Sequence, residues 1–383
     1  MSESQPDFPG ARIGKDDPRY PTMVRGFNRR WVGNPECVQV CGDTAQVVAA
    51  VQQAVDRGQR ITVRCGGHCY EDFACDNEGG VIVDLSPMTG VYGAGRESWW
   101  VEGGATLWNV YNALYRDYGV TLPAGSCYSV GIGGHVTGGG YGLLSRLHGL
   151  TIDYLYGVEM VYVDTNGRAQ VAVVSADSSD RDERDLLWAN QGGGGGNFGI
   201  VTRFLFAGLP LAPTEAWLLS RGWAWGDLGV DGFAGLIARY GEFFAANSAP
   251  KSDFAGLFGL LHLFSKSPKS PEITLTAQYV GEEPQLLEEF ARQIEGPTHA
   301  HPAPARIGLH QAPLPAGGEI QQLPWLFATQ TLNGSGPNRY GKYKSAYMVA
   351  PFREDEVAAM FNNLNSPSNP NPAALLQVDS YGC

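Results

Sequence analysis

The sequence predicts a two-domain α+β protein, and three observations carry that expectation. At 383 residues the chain is longer than one small core organises. Residues 43–85 alternate a helical apolar period with short β-rich runs, while 153–175 reads as an antiparallel hairpin. Past Gly208 the texture changes: Pro210 and Pro213 act as a linker, and Trp217, Trp223 and Trp225 follow. The expected boundaries are 1–206 for a ligand-holding domain and 207–383 for a second α+β domain that presents a substrate to it.

Each element has its own warrant. Asp43 caps a helix carrying Val47, Val48, Val51 and Val55 on one face, and Gly58 stops it. Strands at 60–65 and 80–85 follow, then one at 98–103 and a helix begun by the capping Thr106, with Leu107, Val110 and Leu114 on one face. The hairpin of roughly 153–163 and 168–175 is turned at Asn166-Gly167, a pair suited to a two-residue turn. The acidic run 175–185 leads to Leu186–Gln191, a glycine loop, and a strand at 199–207. In the second domain, strands at 254–264 and 272–280 alternate with helices at 231–246 and 284–294. Residues near 296–318, 332–341 and 366–372 read as surface loops. Ala373–Tyr381 reads as a central strand two residues from the last residue, which suggests a truncated form of a longer protein.

Composition narrows the partners. A net charge of −12 without clustered Lys and Arg argues against nucleic acid. The opening MSESQPDFPG has neither a basic nor an apolar leader segment, and no run has the length of a membrane span, so a cytoplasmic, membrane-free protein is expected, its oligomeric state open. Seven cysteines do not form a disulfide framework; Cys37 and Cys41, four apart in a strand-like run, lie about 13 Å from each other at ~3.3 Å per residue. No metal-ligand spacing occurs, so no metal is expected.

Three glycine loops dominate the first half: Arg64-Cys65-Gly66-Gly67-His68 after a strand, residues 123–146 (PAGSCYSVGIGGHVTGGGYGLLSR), and Gly192–Gly196 followed by Asn197-Phe198-Gly199. Glycine lets main-chain N–H groups approach a ligand, and amides on a bent backbone form a concave anion site. A large phosphate-bearing cofactor is the expected guest. Gly194–Gly199 satisfies G-x-G-x-x-G, but Ile200-Val201-Thr202 continues as a strand where a dinucleotide fold needs a helix.

These segments resemble the flavin-binding signatures of the vanillyl-alcohol-oxidase or PCMH-type superfamily, most narrowly the berberine-bridge-enzyme-like oxidases of sugars and glycosylated natural products. The resemblance is detailed over roughly residues 15–206 and includes Cys69-Tyr70-Glu71-Asp72-Phe73 and Asp153-Tyr154-Leu155-Tyr156. It implies a PCMH-type FAD-binding fold with a substrate domain built on an antiparallel sheet covered by helices. It also implies FAD bound covalently twice, through His68 to the flavin 8α-carbon and through Cys127 to C6. Cys65 stands where the family commonly has serine, and either residue can donate weakly to phosphate. His135 resembles a histidine near the ribityl chain, and Val130 lines the approach to the reactive edge, compatible with O2. Arg64 would serve a phosphate or solvate a strand end. Gly66, Gly67, Cys69, Tyr70, Gly131, Gly133, Gly134, Gly138, Tyr141, Gly196, Asn197, Phe198, Gly199, Ile200 and Val201 complete the implied cradle. Tyr381 resembles the catalytic base. The implied reaction is oxidation of a small-molecule or glycosylated hydroxyl by O2, giving H2O2; a flavin-holding protein without turnover is the alternative.

Overall fold

The computed structural model describes residues 9–71, 73–266, 272–303, 306–307, 310–311, 320–336, 339–366, 368, 371 and 373–380. The chain divides into two compact units: Met1–Gly142 with Leu150–Ala212 and Ser335–Lys344, and Leu143–Gly149 with Pro213–Gly334 and Ser345–Cys383.

The first unit holds two sheets. In one, Ala11–Gly14 lies antiparallel to Cys37–Val40, and Val81–Asp84 runs parallel between Cys37–Val40 and Ile61–Arg64. Val81–Asp84 is buried along its whole length, as a strand parallel to both neighbours should be. The helix Thr44–Asp56 is capped as expected: the Asp43 carboxylate accepts the Gln46 N–H at 2.8 Å, and Val47, Ala50, Val51 and Ala54 face inward. The other sheet is antiparallel throughout, in the order 91–93, 98–102, 200–207, 155–163, 169–175. Strict alternation along Ile200–Ala207 puts Phe204 and Phe206 into the core with Trp99, Leu107, Val110 and Leu122.

Three local differences from the sequence reading have physical causes. The hairpin loop is wider than two residues: Asp164 N–H bonds the Arg168 carbonyl at 2.9 Å, and the Asp164 carboxylate accepts the N–H groups of Asn166 and Arg168. Only Gly167 has positive φ (74°), whereas a two-residue turn of the expected kind needs it at both central positions. A helix, Arg181–Ala189, occupies the acidic run; Asp180 caps it by accepting from the N–H groups of Asp182 and Glu183, which lie where negative charge favours a helix start. A short helix, Ile132–Thr137, forms inside the central glycine-rich stretch because Ile132 and Val136 bury one face.

The second unit is built on an antiparallel sheet in the order 301–302, 215–224, 272–279, 257–264, 375–379, with 321–324 also pairing with 215–224. Leu257, Leu261, Leu263, Ile273, Leu275 and Ala277 share its apolar face with Phe233, Phe243 and Phe244 of the helix Trp225–Ala246 and Phe290 of Gln285–Glu295. The longer of these helices starts before residue 231 and is broken at Gly229 (φ 60°, ψ −171°). The strand expected from 254 begins at Leu257, because turn bonds between Ser252 and Leu257 hold the preceding residues. Leu375–Asp379, read as a central strand, pairs among the described residues with Leu257–Phe264 alone. No helix among the described residues is long and apolar enough to cross a membrane.

Candidate functional site

The first and third glycine loops, and the second as far as Gly142, assemble within the first unit. The strand Ile61–Arg64 delivers the first loop onto the second with main chain against main chain. A Cβ on Gly66 would lie 2.5 Å from both the Gly131 nitrogen and the Ser129 carbonyl oxygen. The second loop is pinned to the corner before the helix Leu107–Ala113 by Leu107 N–H to Val130 O (2.9 Å) and Ile132 N–H to Ala105 O (2.8 Å). Gly131 then opens the helix Ile132–Thr137, and Gly133, Gly134 and Gly138 lie in or close it, with Gly138 N–H bonded to Gly134 O at 3.2 Å. The third loop rests on that helix: a Cβ on Gly195 would lie 2.2 Å from Thr137 Cβ. A side chain at Gly66 would have to displace the main chain of the second loop, and one at Gly195 the Thr137 side chain.

His68 is held from two directions. Its ring stacks on Phe27 (centroids 4.5 Å, 16°), and Nε2 lies 2.8 Å from Ser129 Oγ. Burial pushes its pKa down to about 4, so the imidazole is neutral at physiological pH. Ser129 is itself clamped: its N–H donates to Ser335 Oγ at 2.9 Å, and the two hydroxyl oxygens are 2.9 Å apart. Ser129 sits two residues after Cys127, whose carbonyl accepts the Val130 N–H at 3.1 Å. The implied tether positions, 68 and 127, therefore lie on loops in direct contact.

Tyr70 borders the same place. Its ring lies flat on Tyr343 (3.7 Å, 11°), and desolvation, with Tyr343 and Cys127 nearby, pushes its hydroxyl up to about 12. The Tyr70 carbonyl accepts from Asn28 Nδ2 at 2.7 Å and Trp31 Nε1 at 3.2 Å. Gly67 O accepts the Phe27 N–H at 2.7 Å, and Cys69 Sγ accepts the Phe73 N–H at 3.3 Å.

Several expected site residues have other occupations. Arg64 neither solvates a strand end nor points free toward a phosphate: it pairs with the buried Asp84 (Nε to Oδ2 2.8 Å) and donates to the Met23 carbonyl. The Cys65 thiol donates to Ala105 O at 3.8 Å, and burial pushes it up to about 11. His135 Nε2 accepts the Gly125 N–H at 3.1 Å and so braces the loop leading to Cys127; burial lowers its pKa to about 4, which keeps that nitrogen an acceptor. The Ile200 side chain is in the core with Val161, and Val201 packs against a neighbouring cluster, so they offer main chain only. Gly199 passes so close to the neighbouring strand that a Cβ would meet the Val161 carbonyl oxygen at 2.5 Å. Asn197 donates to Gly194 O at 2.6 Å, and Phe198 is exposed beside Gly196. The Tyr141 carbonyl oxygen comes within 3.5 Å of a Cβ built on Gly125. Tyr381 lies outside the described residues.

Phe27, Ser129, Ser335 and Tyr343 were not singled out by sequence. The run 332–341, read as a surface loop, contributes Ser335 to Ser129 and Gly341 O to Asn28 Nδ2 (2.8 Å). Its legible signal was the pair Tyr340 and Tyr343 in a glycine-rich stretch.

The donor set suits a flavin: a neutral imidazole and a thiol on touching loops, with a main-chain cradle too tight for side chains at the contact. Residues 35–171 match the FAD binding domain family, and the chain belongs to the PCMH-type, berberine-bridge-enzyme-like FAD oxidoreductases. It is similar to the aclacinomycin-N/aclacinomycin-A oxidase of Streptomyces galilaeus, 39% identical over 375 residues, covering 93% of this chain and 66% of that one. To the hexose oxidase of Chondrus crispus it is 34% identical over 400 residues, covering 96% of this chain and 71% of the relative. The crystal structure of aclacinomycin oxidoreductase superposes with a TM-score of 0.86 at 38% identity over 97% of this chain and 75% of that chain. A glycopeptide hexose oxidase complexed with teicoplanin gives 0.86 at 30%, over 99% and 76%. The chain spans about two thirds of the length of the aclacinomycin oxidase.

Proposed function

We propose that the protein is an oxidase of a sugar hydroxyl, free or carried by a glycosylated natural product, with O2 as acceptor: the carbinol becomes a carbonyl and O2 leaves as H2O2. Bound FAD supplies the hydride acceptor and the route of the electron pair to O2. His68 and Cys127 tether it covalently, and the observation that supports this most is the contact between their loops, with His68 neutral and held by Ser129. The loop glycines bring N–H groups to the phosphates, and His135 steadies the Cys127 loop. Tyr70 and Tyr343 offer an aromatic platform for a sugar ring, whose C–H faces stack on such surfaces. Tyr381 takes the hydroxyl proton. The net charge of −12, without clustered Lys and Arg, speaks for small-molecule substrates over nucleic acid.

A peroxide assay over mono- and oligosaccharides and glycosylated antibiotics, on protein shown to be fully flavin-loaded, tests the activity. Peroxide formed in step with carbonyl product is expected. No peroxide from any of these hydroxyls would reduce the protein to a flavin holder.

A further inference from the structure

We propose that Ser129, clamped by Ser335, is a positioning residue for flavin attachment: it fixes the tautomer of His68 and removes the proton released when the ring bonds to the cofactor. The inference rests on the reading of His68 as an attachment residue and adds to it how this chain makes that imidazole a nucleophile.

The geometry leaves little freedom. Phe27 covers one face of the His68 ring, and Ser129 Oγ, 2.8 Å away, takes Nε2. Nδ1 is left as the nitrogen to form a bond. It carries a free lone pair only if the proton sits on Nε2, and then Nε2–H donates to Ser129 Oγ. The Ser129 hydroxyl hydrogen turns to Ser335 Oγ, 2.9 Å off. Were Ser129 the donor to Nε2, the proton would sit on Nδ1 and the nucleophile would be masked.

The same line disposes of the product's charge. Attachment joins Nδ1 to the flavin 8α-carbon, at the cost of one C–H bond of the methyl group and the N–H bond at Nε2. The electron pair of the C–H bond goes to the flavin and on to O2, the oxidant of the proposed reaction, which leaves as H2O2 with the two protons. A ring substituted at Nδ1 and still protonated at Nε2 is a cation, disfavoured where burial already favours the neutral form. Ser129 and Ser335 give that proton a path of two hydroxyls, and Ser335 is partly exposed. Ser129 is thereby tied to Ser335, 206 positions later in the chain, so attachment depends on the 335–344 segment being in place.

The test follows attachment site by site. Full-length apoprotein from a riboflavin-starved host is mixed with FAD in air, quenched in acid, digested, and the flavinylated peptides containing position 68 and position 127 are quantified by mass spectrometry. Ser129→Ala should slow attachment at His68 roughly tenfold, the loss of one hydrogen bond to a group developing charge, with Cys127 attaching at the unmodified rate. The remaining rate at His68 should climb with pH as hydroxide replaces the relay. Ser129→Thr keeps the hydroxyl and should restore the rate, while Ser335→Ala should slow it less. Unchanged attachment at His68 in Ser129→Ala overturns the assignment, and so does an equal loss at both sites, which would mark a folding defect. Absence of flavin from His68 in the unmodified protein is a different failure, of the attachment reading itself, and is seen before any variant is made.

Discussion

Each unit has its own means of internal cohesion, and the two means are opposite. Around the glycine loops of the first unit the critical feature is an atom that is missing: the Cβ of Gly66, which would meet the main chain at Ser129 and Gly131, or of Gly195, which would meet the Thr137 side chain. The core of the second unit is filled by large side chains, with Trp223, Phe233 and Phe290 fully buried against its sheet and helices. A close-packed aromatic core tolerates no deletion, whereas a main-chain cradle tolerates no addition. The cofactor site thus depends on exclusion and the second unit on occupancy, and substitutions separate the two.

The largest effects come from removing what fills or neutralises. Phe290→Ala should cost about 3–5 kcal/mol in denaturant unfolding while leaving flavin attachment in the folded fraction unchanged. Arg64→Met tests a place where the first unit relies on a buried side-chain charge. It leaves Asp84, fully buried, without its partner and should cost about 3–5 kcal/mol. If Arg64 held a cofactor phosphate instead, FAD affinity of the folded protein would fall while stability held, and the assignment of Arg64 to Asp84 would be wrong. Gly66→Ala should cost less, roughly 1–3 kcal/mol by overpacking, yet strip flavin from the protein, because the added methyl must push the Cys127 loop away. Normal flavin content in Gly66→Ala would break the contrast between the units.

A different kind of test is in pH, which bears on the first unit alone. His68 and His135 have their pKa values lowered from 6.5 to about 4 by burial. The unfolded chain takes up their protons below its ordinary histidine pKa and the folded chain does not. The stability they confer is therefore complete above about pH 6.5 and is lost as pH falls toward 4. The melting temperature of the apoprotein should drop across that window, and less steeply in His135→Gln. A flat profile would mean that these imidazoles are solvated.

Much of this was legible in the sequence because local signals and tertiary demands agree. Asp43 caps its helix, Ile200–Ala207 alternates as a half-buried strand must, and the order of the glycine loops matches a known cradle. The failures come where the partner is distant. Arg64 looks like a phosphate ligand until Asp84 is seen beside it, a residue on the adjacent strand. Ser129 carries no periodic or motif signal; its role appears only when residues 61 positions before it and 206 after it converge. Ile132–Thr137 was hidden because its glycines have poor helix propensity, which tertiary burial of Ile132 and Val136 overrides. The hairpin loop widened because the Asp164 side chain supplied bonds that the Asn166-Gly167 pair does not announce.

The double tether is tested most directly by acid-precipitating the purified protein, washing the pellet, and measuring its visible spectrum and intact mass, with His68→Ala/Cys127→Ala as reference. A doubly tethered flavin gives a yellow pellet and a chain heavier by one FAD, reduced to the bare chain mass only when both residues are replaced. A colourless pellet from the unmodified protein, with all the flavin in the supernatant, would contradict it.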